Sequence, residues 1–190
     1  MAARTGMSDI IQELRNRTEA GTADYSLGTA NFRDDDQMQS VLDQHRVDIY
    51  REQLTPLPDS IGGGSLVYKR YESAYNWLEA VTSGTLLFQI EAANGDLQGT
   101  ANYSGDHKRG LVTFTADQGG TAYFLTGRAY DLNGAAADVW RKKAGHYATA
   151  ITVESDGQKL NREQIIKHCW MMVEAYENRG GGAAIVEFTA

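Results

Sequence analysis

The chain has 190 residues, 42% of them hydrophobic and 23% charged, with a formal net charge of −7 and a single cysteine. That length can bury ~70% of the surface an unfolded chain exposes, enough for one good core or two small ones. One cysteine excludes an internal disulfide framework and fits a reducing cytoplasm, and the acidic balance argues against a surface built to grip nucleic-acid phosphates. No apolar run approaches the ~20 residues needed to cross a bilayer, so no membrane partner is expected, and the opening MAARTGMSDII lacks a signal peptide's apolar stretch.

Ser8 can cap a first helix carrying Ile10, Ile11 and Leu14 on one side and ending near Gly21. Residues 22–33 read as a loop or short strand. A second helix opens on Asp34, Asp35 and Asp36, three carboxylates favoured at the positive end of the macrodipole, and Asp34-x-x-Gln37 has capping spacing. Met38, Val41, Leu42, His45 and Ile49 form its buried stripe, which runs to about Leu54 before Pro56 and Pro58 end it. Gly62-Gly63-Gly64 is then a joint, followed by the strand-like SLVYKRYE. The stretch SAYNWLEAV fits helix or strand, with Trp77 and Leu78 buried in either. Strand signals follow at 85–92, 100–104, 111–116 and 121–130, separated by turns at Asn94-Gly95-Asp96, Ser104-Gly105-Asp106 and Asp117-Gln118-Gly119-Gly120.

Two further helical patterns fill Gly127–Arg179 and are expected to anchor the core. The first is alanine-dense, with residues 135, 136, 137 and 144 small enough for close helix approach. The second starts on an Asn161-x-x-Gln164 signature, carries Ile165, Ile166, Cys169, Met172, Val173 and Tyr176 on one face, and stops at Arg179-Gly180. The tail is a glycine hinge, 180–182, before Ile185, Val186 and Phe188. The order of elements predicts an α+β fold: a bundle of about four helices with an inserted small antiparallel β-module and an extended C-terminal arm. The boundaries are 1–61 and 129–179 for the helices, 62–128 for the β-module and 180–190 for the arm.

Chemistry is harder to find. Histidines 45, 107, 146 and 168 stand in no ligand-spaced pair, and His45 and His168 fall on or beside apolar stripes. Cys169 lies on a buried stripe and reads as a small hydrophobe. Adjacent helical carboxylates splay by about 100°, so Asp34, Asp35 and Asp36 do not converge on a metal. Neither triple glycine belongs to a phosphate-binding motif. The aromatics of the β-module fit cross-strand packing, although they could line a ligand face. Lys108-Arg109 and Arg141-Lys142-Lys143 read as solvated basic spots. No catalytic residue, cofactor or metal site is nominated, and the chain does not read as an enzyme.

The combination of HKRGLVTFTADQGGTAYFLTGRAYDLNGAAADVWRKKAGHYA (107–148) and SDGQKLNREQIIKHCWMMVEAYENRGG (155–181) resembles the head–tail connector proteins of long-tailed bacteriophages, also called adaptor or head-completion proteins. The DDDQMQSVLDQHR pattern is similar to the second helix of such proteins. The resemblance implies a ring, commonly of twelve copies, beneath the portal in the neck of a virion assembled in the host cytoplasm. Its partners would be its own copies, the portal protein and a stopper or tail-completion protein, with genomic DNA passing through the lumen without sequence-specific binding. Ala184, Ile185, Val186, Glu187 and Phe188 occupy the position of the family's portal-reaching arm. In a ring, Ala135, Ala136, Val139, Trp140 and Tyr147 are candidates for the subunit interface, with packing inside one chain as the alternative. Asp34, Asp35, Asp36 and Asp43 are candidates for an acidic lumen, or are solvated. The substantial β-module departs from the smallest family members. A competing reading is a binding protein that holds a peptide, a glycan or another virion protein through that module without forming a ring.

Overall fold

The computed structural model describes residues 3–20, 25–27, 30–32, 34–60, 65–80, 88–149 and 162–180. The fold is α+β, and the chain divides into two compact units. One is mainly helical and comprises Ile11–His45 with the chain from Asp131 onward; the other is β-rich and comprises Ala2–Ile10 with Arg46–Tyr130.

In the helical unit, α1 (Ser8–Thr18, its first turn belonging to the other unit) buries Ile11 and Leu14. A two-stranded antiparallel hairpin follows, β1 (Tyr25–Leu27) with β2 (Ala30–Phe32). Asp34 caps α2 (Asp35–Gln44): its carboxylate accepts the Gln37 N–H at 2.9 Å, and Met38, Val41 and Leu42 are buried. Then α3 (Leu132–Thr149) packs on α4 (Arg162–Gly180) and, less extensively, on α2. Asp131 caps α3 by accepting the N–H groups of Asn133 and Gly134. Glycine suits position 134, because a Cβ there would lie 2.7 Å from both the His45 imidazole and the Asp131 carboxylate and would push them aside. The core of this unit is Ala135, Ala136, Val139, Trp140 and Ala144 of α3 with Cys169, Val173 and Tyr176 of α4. The helices do not form a clear four-helix bundle; an α3–α4 pair dominates.

In the β-rich unit two antiparallel sheets share one apolar cluster. The first has the order β3 (Arg46–Gln53), β9 (Tyr123–Tyr130), β6 (Phe88–Ala92). The second has the order β4 (Thr55–Ser60), β5 (Leu66–Glu72), β8 (Leu111–Phe114), β7 (Tyr103–Asp106). Central β9 alternates buried and half-buried residues, as a paired strand with one core face should. Tyr71, Phe114 and Tyr123 meet at ring-centroid distances of 4.6–5.4 Å beside Ile49, Leu54, Ile90, Val112 and Leu125. These three rings are therefore core, whereas Tyr75 is exposed and Trp77 only half-buried, and burial raises the Tyr71 phenol to about 12.

Several expectations need correction. The second helix does not run to Leu54. His45 leaves helical geometry and donates its N–H to Leu42 O, and the chain continues as β3, held by β9 from Arg46↔Tyr130 to Gln53↔Phe124. The β-branched and aromatic run Val47, Ile49, Tyr50 suits a pleated strand, so a ready ladder partner outweighs the helical spacing of the stripe. Pro56 and Pro58 lie inside β4, which pairs with β5 alone; an edge strand tolerates residues without an N–H. The β-rich unit thus takes in 46–60, which the helical reading had claimed. Ser104-Gly105-Asp106 belongs to β7, and the reversal falls at 107–110 instead. There Gly110 has φ +68°, and a Cβ would sit 2.0 Å from the Tyr75 carbonyl oxygen. Asn94-Gly95 does turn the chain, with Gly95 at φ +91°, but onto β6 through the single bridge Glu91↔Leu97 rather than into a second full strand. Residues 61–64 and 85–87, the cap residue Asn161 and the arm 181–190 lie outside the described residues.

Candidate functional site

Ala135, Ala136 and Val139 have no exposed surface and Trp140 is 3% exposed, so these four are core of the helical unit rather than contact surface for a neighbouring copy. Small side chains on α3 serve the close approach of α4, the alternative that sequence left open. Tyr147 is half-buried. Among the lumen candidates, Asp34 is occupied as a helix cap and Asp35 pairs with the buried Arg15 at 2.8 Å. Asp36 and Asp43 are half-buried and partnered. Ala184, Ile185, Val186, Glu187 and Phe188 lie outside the described residues.

Lys143 is not a solvated basic spot. It is buried, and its ammonium donates to the Thr18 carbonyl oxygen at 2.6 Å while lying 4.8 Å from the Trp140 ring centroid. Beside it the Arg17 carbonyl oxygen accepts from Trp140 Nε1–H at 3.1 Å and from the Tyr176 hydroxyl at 3.0 Å. Residues of α3 and α4 therefore satisfy carbonyls that α1 leaves open at its negative end, where a cation is also favoured. Glu19 turns the chain out with φ +51°, and Ala20 N–H closes back to Arg15 O.

The β-rich unit holds a buried carboxylate. Glu79 has no exposed surface; it accepts Arg4 Nε–H at 3.0 Å and the Tyr130 hydroxyl at 2.6 Å, with Arg128 at 3.8 Å. Burial and the neighbouring carboxylate push the Tyr130 phenol far up, so it stays a donor. A fully buried carboxylate persists only when paired and hydrogen-bonded, and here the pairing ties residues 4 and 79 to β9. Sequence carried no signal for this cluster, since its interacting pairs are 49–126 positions apart.

A cleft of about 340 Å³ opens in the same unit between Gly6–Ile10, Trp77–Ala80 and Gly105–Lys108. Trp77, at φ +55°, and Leu78 donate their N–H groups to the carbonyls of Lys108 and His107. The His107 ring meets the edge of Phe88 at 4.7 Å, its Nδ1 is buried without a hydrogen-bond partner, and desolvation holds its pKa below the usual imidazole value. Asp9 and Lys108 face each other at 3.9 Å across the exposed rim. Of the other histidines, His45 bonds Asp138 at 2.8 Å and His168 meets the Trp140 ring at 5.5 Å. Cys169 is buried, as its place on the stripe predicts. Among the described residues no group of three or more His, Cys, Asp or Glu side chains could hold a metal, and no helix is long and apolar enough to cross a membrane.

One outward apolar feature escaped the sequence reading: Trp170 and Met171 on α4 are 48% and 58% exposed. Their signal was available, because both fall off the stripe of Cys169, Val173 and Tyr176. No protein-family model and no curated protein matches the chain.

Proposed function

We propose that the chain is a structural virion protein, forming a ring under the portal that joins capsid to tail and extends the DNA channel. The observation that carries this reading is the resemblance of 107–148 and 155–181 to head–tail connector proteins. What those residues do in the fold supports it. The stretch 107–148 supplies the Gly110 turn, β8, β9 and the Ala135–Trp140 core, and α4 supplies the other half of that core. They build a brick rather than converge on a polar reaction centre. In this reading the chain is not an enzyme, Ala184–Phe188 reach the portal, twelve copies close the ring, and DNA slides past Asp34, Asp35, Asp36 and Asp43 without adhering. With the four α3 core residues withdrawn, the subunit interface falls to other, exposed surface of the chain.

Electron microscopy of the purified chain, alone and mixed with portal, tests this: rings on the portal are expected, and a monomer that ignores portal would overturn it. A second reading, a binding protein acting through the β-rich unit, is favoured by the cleft between Gly6–Ile10 and Gly105–Lys108. It predicts one lost partner interaction on filling that recess, with no rings under any condition.

A further inference from the structure

The outer face of α4 carries Lys167, Trp170, Met171 and Glu174 at i, i+3, i+4 and i+7, all solvent-exposed. Residues so spaced form one stripe along a helix. Among the described residues neither Lys167 nor Glu174 has an ion-pair partner, whereas Glu177 on the same helix is held by Arg141. The stripe is symmetric in chemistry but not in charge, with a cation one turn before the apolar centre and an anion one turn after it. We infer that this face pairs with the same face of a second copy, α4 against α4 in antiparallel orientation, about a two-fold axis passing between positions 170 and 171.

That register follows from the residues. It places Trp170 beside Trp170 of the partner subunit on one side of the axis and Met171 beside Met171 of the partner subunit on the other, two apolar contacts flanking the axis. It sets Lys167 opposite Glu174 of the partner subunit, and the reverse contact follows by symmetry. Outside them Gln164 lies beside Asn178 of the partner subunit, and Glu163 beside Glu177 of the partner subunit, a carboxylate that Arg141 of its own chain already pairs. A parallel pairing in register would instead oppose Lys167 to its own copy and Glu174 to its own copy. The two-fold contact closes at two copies, unlike the heterologous contacts of a ring, so it does not rest on the neck reading.

The test is sedimentation of the full chain across about 1 to 100 µM, for the native protein, Lys167→Glu, Glu174→Lys and the double reversal. These positions are exposed, and far-UV circular dichroism checks that each variant keeps its helices. The native chain is expected to dimerise. Each single reversal turns two attractive contacts into repulsive ones and should weaken the dimer by about tenfold, and the double reversal should bring most of that affinity back. A native chain that stays monomeric, a dimer indifferent to the single reversals, or a double reversal no better than either single one would each overturn the pairing. Rings that assemble on the portal from a chain that never dimerises would refute the pairing and leave the neck reading standing. A charge-dependent dimer that forms no ring would do the opposite.

Discussion

Replacing Trp140 tests how the helical unit is held together. The indole is 3% exposed, donates Nε1–H to Arg17 O at 3.1 Å, lies beneath the Lys143 ammonium and meets His168 edge-on. Trp140→Ala removes the packing and leaves a cavity, for an expected loss of ~3–5 kcal/mol. Trp140→Phe keeps much of the ring but deletes the donor. The Arg17 carbonyl still accepts from Tyr176, so the expected loss is only ~1–2 kcal/mol. Tyr176→Phe alone leaves the indole donor in place and should cost about 1 kcal/mol. Making both changes strips that carbonyl of both side-chain donors, and the double variant should exceed the sum of the singles by about 1 kcal/mol. Urea unfolding followed by the helical far-UV signal measures all four proteins. With a slope of about 1–2 kcal/mol per molar, Trp140→Ala should lower the midpoint by roughly 1.5–5 M. A loss below ~1 kcal/mol for Trp140→Ala, or strict additivity in the pair, would refute the description of α1's end as capped by α3 and α4.

Other outcomes follow from single sites. Glu79→Ala strands Arg4 and Arg128 without their shared carboxylate and should destabilise the β-rich unit by about 3 kcal/mol, with faster hydrogen exchange at the Ala80 N–H that bonds Gly6 O. Unchanged exchange there would show that the N-terminal segment is held by something else. Gly110→Ala imposes both a positive φ and a clash with the Tyr75 carbonyl, so it should cost well over ~1 kcal/mol, read as a drop in melting temperature; a neutral result would refute the tight reversal. Burial holds the His107 pKa below the usual imidazole value. The unfolded imidazole therefore binds a proton first as pH falls, and stability should decline from 6.5 down to the folded value, level off below it, and be unaffected above. His107→Gln should remove that decline, and a variant with the same pH profile as the native chain would assign the effect elsewhere.

The α3–α4 pair, the Asp34 cap and the alternation in β9 were legible because each is a local pattern: a period, a cap spacing, a run of alternating faces. Residues 46–60 were not. Val41, Leu42, His45 and Ile49 satisfy a helical period, while Val47, Ile49 and Tyr50 equally satisfy a strand, and the decision lies with β9, some eighty positions away. The proline rule misled there for a related reason, since an edge strand has N–H groups to spare. Burial of Ala135, Ala136, Val139 and Trp140 depends on which face α4 covers, and the helix's own composition does not specify that. The Glu79 cluster is assembled wholly by the fold. In contrast, Trp170 and Met171 stood off the buried stripe in plain view.

The central claim is that this chain assembles on a portal ring, and mass is its most direct measure. Isolated portal rings titrated with the purified chain and weighed particle by particle should gain about twelve times the chain's 20.9 kDa in one saturating step. Portal rings whose mass does not change at any concentration of the chain would contradict the account.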